Sequence, residues 1–158
     1  MPENVKGGCV CGGLRYSLSV DSADDVRTSL CHCSSCRKAF GTNFGLTSKA
    51  SAASSLTDSR PLSCTLTHSK APLQGFRYES GEPKSFKQDN GVIREFCGNC
   101  GAFICEYGEQ AADKFRYIMW GTMDEPSKFP PKGEFFCKYR ASWMPEIPDI
   151  FHKAEIKE

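Results

Sequence analysis

The stretch Val92-Ile-Arg-Glu-Phe-Cys97-Gly-Asn-Cys100-Gly-Ala-Phe-Ile-Cys-Glu-Tyr107 decides the fold class. β-branched and aromatic residues run into and out of a Cys-x-x-Cys. Those residue types favour a pleated, half-buried strand. A Cys-x-x-Cys brings two thiolates to one ion by curling its backbone into a turn. Two antiparallel strands joined by a metal-binding turn, a zinc-ribbon-like hairpin, are therefore expected here.

The same period-2 pattern recurs on both sides. Leu14, Tyr16, Leu18 and Val20 alternate with Arg15, Ser17 and Ser19, which predicts a half-buried strand. Leu62, Cys64 and Leu66 alternate likewise, as do Phe76 and Tyr78 around Arg77. Lys114–Trp120 and Glu134–Tyr139 read as two more strands. Helix signals reduce to Ser34–Phe40, with Ser34 or Ser35 as cap and Gly41 as stop. The small, polar run Ser48–Ser59 predicts a surface loop, and the tail from Trp143, with Pro145 and Pro148, predicts irregular chain wrapping the domain. The expected fold is mainly β, of short antiparallel strands with little helix. One domain over 1–158 is expected, with its core at about 7–150.

At 158 residues with 20 Lys+Arg against 19 Asp+Glu, the formal charge is +1. That balance lacks the basic face of a general nucleic-acid binder, and no apolar run approaches the ~20 residues of a membrane span. The amino-terminal stretch Met1–Gly8 has no apolar segment of the secretory kind, so the expected address is cytoplasmic, with the nucleus as the other possibility. Ten cysteines are then anomalous. In a reducing compartment, cysteines clustered at ligand spacing point to metal rather than disulfides.

Seven fall into three clusters: Cys9 and Cys11; Cys31, Cys33 and Cys36; Cys97 and Cys100. Zinc takes four ligands in a tetrahedron, so seven divide as four plus three. Joining Cys9/Cys11 to Cys97/Cys100 makes a structural four-cysteine site across 85 intervening residues. It leaves Cys31, Cys33 and Cys36 as a three-ligand site with the open position that distinguishes catalytic from structural zinc. Rival divisions place Cys9/Cys11 with two of the triad, or recruit His32. In extended chain, however, His32 points away from its flanking cysteines. Cys64, Cys105 and Cys137 read as buried thiols packing as small hydrophobes, and His68 and His152 as surface or packing residues.

These blocks, Gly8-Cys9-Val10-Cys11-Gly12, Cys31-His32-Cys33-Ser34-Ser35-Cys36-Arg37-Lys38 and Arg94-Glu95-Phe96-Cys97-Gly98-Asn99-Cys100-Gly101, resemble the glutathione-dependent formaldehyde-activating enzyme family, whose relatives include the core of centromere protein V. Gly121-Thr122-Met123-Asp124 and Arg140 with Trp143 add weaker support. The resemblance implies a zinc-stabilised β-tent (MSS-four-like) fold and two zinc ions per chain. It assigns the structural ion to Cys9, Cys11, Cys97 and Cys100, and the catalytic one to Cys31, Cys33 and Cys36. The Ser48–Ser59 run looks like an insertion relative to the family, and Pro131–Ile150 follows its pattern only loosely.

It further implies a carbon–sulfur lyase or synthase acting on glutathione or a glutathione adduct, with a small-molecule thiol as partner. Zinc under three thiolates carries net negative charge and is a poor Lewis acid, better suited to holding a fourth sulfur. Arg37 and Lys38 are placed to meet the carboxylates of glutathione. Thr42 and Asn43 are candidate donors to substrate, or a simple turn. The alternatives are the same chemistry on another metabolite or conjugate, and a non-catalytic zinc-binding interaction module.

Overall fold

The computed structural model describes residues 3–51 and 73–156. Eleven strands are found among them: β1 Glu3–Gly8, β2 Arg15–Val20, β3 Arg27–Cys31, β4 Gly45–Ser51, β5 Phe76–Ser80, β6 Pro83–Lys87, β7 Val92–Cys97, β8 Phe103–Gly108, β9 Phe115–Met119, β10 Pro131–Phe135 and β11 Phe151–His152. One α-helix, α1, spans Ser34–Phe40. The mainly β class holds. The strands form a three-stranded sheet ordered β1-β2-β5 and an eight-stranded sheet ordered β11-β10-β3-β4-β9-β8-β7-β6.

The hairpin read at 92–107 is present, with β7 antiparallel to β8 and Ile93 opposite Tyr107. In β2, Tyr16, Leu18 and Val20 are buried as their alternation requires, and Leu14 just before the strand joins them. Ser17, on the other face, is buried too and bonds Glu79, so this strand is covered on both sides at that point. The core forms from these residues with Val5, Val26, Ile104, Cys105, Ile118 and Phe129.

Several expectations need correction. α1 is capped by Cys33, whose sulfur accepts the Cys36 N–H, and not by Ser34 or Ser35; a thiol sulfur occupies the position a hydroxyl fills elsewhere. Gly41 does end the helix, in the left-handed conformation at φ 65°. Ser48–Ser51 is strand, because β4 pairs with β3 on one side and β9 on the other. Ser48 is fully buried there, its hydroxyl 2.7 Å from that of Thr28. The rest of that expected loop, the strand read at Leu62–Leu66, Cys64 and His68 lie outside the described residues.

The antiparallel expectation fails at one end of the large sheet, where β10 runs parallel to both β3 and β11. β10 also stops at Phe135. Phe136 turns into the left-handed region at φ 56°, and Cys137–Tyr139 form a 3-10 turn. The tail is not wholly irregular, since Phe151–His152 pairs with Gly133–Glu134. No described helix is long and apolar enough to cross a membrane.

Candidate metal centres and the adjoining cleft

Cys9 and Cys11 lie just beyond β1, in the turn to β2. The Cys9 carbonyl accepts the N–H of Gly12, which sits at φ 75°. Cys97 and Cys100 make the matching turn between β7 and β8, where the Gly101 N–H bonds the Cys97 carbonyl at 2.9 Å and Gly101 sits at φ 74°. Both glycines occupy a conformation that costs other residues a Cβ clash. The folded chain brings these turns together. The four sulfurs lie within 4.8 Å of one another, with Cys9–Cys11 at 3.4 Å and Cys11–Cys97 at 3.7 Å. Sulfurs around a tetrahedral zinc sit roughly 3.7 Å apart, so the donor set fits. The side chain of Asn99 and the N–H of Gly13 bring the Cys11 thiol down to about 6, easing the thiolate state a metal needs.

Cys31 ends β3, Cys33 caps α1, and Cys36 follows in its first turn. Their sulfurs also lie within 4.8 Å of one another. Among the described residues, no other histidine, cysteine or carboxylate joins either group, so these side chains gather as four and three, with neither Cys9/Cys11 beside the triad nor His32 in either group. Hydrogen bonding with the Cys36 thiol brings Cys31 down to about 6 against the opposing effect of burial, helped by Cys33. Cys36 is pushed up in return, first by that same bond and then by burial. Two cysteine groups can therefore hold metal ions.

His32 faces away from both neighbours, as extended chain dictates. It is fully buried, with Nε2 2.9 Å from Glu134 Oε1. Glu134 is itself fully buried; its Oε2 accepts from Arg140 Nη2 at 2.8 Å and lies 3.0 Å from His152 Nε2. The sequence reading missed Glu134. Its one signal was a carboxylate in a run of β-formers, and its partners lie too far apart in the chain to be recognised. His152, expected as a surface or packing residue, belongs to this cluster, and Arg140 pairs with Glu134 and with Glu146 of the tail. Trp143 is exposed. Cys105 is fully buried in β8, whereas Cys137 is half-buried in the 3-10 turn and not in a strand.

A cleft of about 370 Å³ is lined by Phe40, Thr42, Asn43, Phe44, Leu46, Phe103, Met119 and Gly121; none of the triad cysteines lines it, and Phe40, one helical turn after Cys36 on α1, connects the two. Cys31 is opposite Gly45, and Thr47, two residues on, is opposite Met119. Residues opposite one another and residues two apart share a face, so Cys31 and Met119 share one. Gly45 marks the seam, since a Cβ there would stand 3.0 Å from the Phe40 ring and 3.2 Å from Cys36 Cβ. Arg37 and Lys38 are exposed on α1 and do not line the cleft. Thr42 and Asn43 do line it, though the Thr42 hydroxyl bonds the Phe44 carbonyl and the Asn43 amide faces Met144 sulfur at 3.4 Å.

The sequence pattern described as "Glutathione-dependent formaldehyde-activating enzyme" matches residues 4–72 and 59–139, most of the chain and all seven clustered cysteines. The chain belongs to that family. No curated protein matches it. A crystal structure of a Rhodobacter sphaeroides protein is similar at 16% identity and a TM-score of 0.49, covering 75% of this chain and 87% of that one. Among formaldehyde-activating enzymes of this family the chemistry is glutathione-related, which agrees with the thiol-rich centres built here.

Proposed function

We propose that the chain is a zinc-dependent carbon–sulfur lyase or synthase acting on glutathione or a glutathione adduct. Cys9, Cys11, Cys97 and Cys100 hold a structural zinc, and Cys31, Cys33 and Cys36 hold the catalytic one. The observation that carries this reading is three converging sulfurs from one short segment, joined by no fourth described donor. Zinc bound by three thiolates supplies a place for a fourth sulfur and favours its thiolate form.

The chain's own residues do the rest. Arg37 and Lys38, exposed just past Cys36, take up carboxylates of the tripeptide. Phe40 and Phe103, with ring centroids 5.2 Å apart, wall off water beside the triad. In the synthetic direction the thiol sulfur bonds to the aldehyde carbon. The C=O π pair moves to oxygen, which takes a proton, and the thiol gives one up. The lyase direction reverses each change, and neither direction is an oxidation.

Metal analysis should return two zinc ions per chain. In cobalt-substituted protein, glutathione should shift the thiolate charge-transfer bands of one site. An unchanged spectrum means a closed triad and leaves a non-catalytic binding module. Cys36→Ala should abolish turnover while the thermal transition persists; turnover surviving at wild-type rate would remove the triad from the chemistry.

A further inference from the structure

The cleft lined by Phe40 and Phe103 has a chemistry that formaldehyde does not use. Five of its lining residues are apolar (Phe40, Phe44, Leu46, Phe103 and Met119), and none of its lining residues is charged. An apolar cavity of about 150 Å³ holds a benzene molecule, so about 370 Å³ accommodates a substituted ring. Formaldehyde carries only hydrogens on its carbon and would leave this surface wet. The carboxylates of glutathione are equally unsuited to it, since no lining residue is charged and Thr42 and Asn43 already bond the Phe44 carbonyl and the Met144 sulfur. What remains is the substituent on the carbon that bonds sulfur.

We infer that this cleft binds an aromatic group on the carbon attached to the substrate sulfur, so that the preferred substrates are thiol adducts of aryl aldehydes rather than of formaldehyde. The placement supports this occupant. Met119 shares a sheet face with Cys31, and Phe40 meets Cys36 across the side-chain-free Gly45. Phe40 belongs to both, lining the cleft and standing one helical turn after Cys36, so a ring on the first carbon of a sulfur held at the triad would enter the cleft past Phe40. Phe40 and Phe103 lie with ring planes 55° apart, offering both ring faces and ring edges to a third ring. The polar remainder of the thiol component stays outside, toward Arg37 and Lys38. Addition of the thiol to an aryl aldehyde follows the balance already given, with an aryl group replacing one hydrogen of formaldehyde.

This inference rests on the proposed open position at the triad, and one titration separates the two. Cobalt-substituted full-length protein is titrated with benzyl mercaptan, whose phenyl ring is one carbon from sulfur, and with 2-mercaptoethanol, which lacks the ring. Moving a phenyl-sized surface out of water shifts an equilibrium by roughly tenfold or more. Benzyl mercaptan should therefore shift the bands at roughly a tenth of the concentration or less. In Phe40→Ala and, independently, Phe103→Ala, the ratio should fall toward one. If both thiols shift the bands equally well, or the preference survives both substitutions, the aromatic subsite is wrong while the open position stands. If neither thiol shifts them, the open position itself fails and the subsite with it.

Discussion

Cys97→Ala is expected to leave the chain unfolded at 25 °C, with far-ultraviolet circular dichroism showing loss of strand signal and no cooperative thermal transition. Cys97 is buried at the end of β7, and Cys9 lies just beyond β1, so a metal held by both would tie the small sheet to the large one. Binding zinc in a structural site contributes about 10 kcal/mol or more to folding. A domain's net stability is about 5–15 kcal/mol. Losing one of four ligands removes a large part of the first quantity, which is comparable to all of the second. Chelation of wild-type protein should reproduce the effect, and re-addition of zinc should reverse it. A Cys97→Ala protein melting within a few degrees of wild type would show that the four sulfurs are not a folding site.

Glu134→Ala is expected to cost about 3–5 kcal/mol of stability by denaturant titration. The magnitude follows from what is left behind. Arg140 loses its 2.8 Å partner and keeps only Glu146 at 3.4 Å. His32, fully buried, already has no hydrogen-bond partner at Nδ1 among the described residues and would lose its Nε2 partner as well. His152 loses a carboxylate at 3.0 Å. Glu134→Gln retains the shape and one acceptor oxygen, and should cost less. Because His32 sits between Cys31 and Cys33, damage should reach the triad first. On a gentle chelator titration, the first zinc should leave Glu134→Gln more readily than wild type, while the second should leave as before. A cost under about 1 kcal/mol for the alanine variant would mean that water replaces the carboxylate without penalty.

Glu134 also marks the limit of the sequence reading. Its partners are at positions 32, 140 and 152, and β10 meets β3 in parallel. No local pattern encodes a parallel pairing across a hundred residues. Ser48–Ser51 shows the same limit in another form. Small polar residues read as loop, yet strands on both sides satisfy their backbone and bury Ser48. Tertiary pairing overrode composition there.

What the sequence determined by itself is the metal chemistry and the elements adjoining it. Ligand spacing is a local property: a Cys-x-x-Cys turn, a Cys-x-Cys extension, a Gly41 helix stop and the alternation of β2 are each written within a few residues. The family follows from those same blocks. That the two distant cysteine pairs converge, where a buried carboxylate finds its cations, and how Phe40, Phe103 and Met119 come to wall one cleft were decided by the folded chain. Those features join residues from different strands and from a helix, and distance in space between such residues is set by sheet order, which no single segment carries.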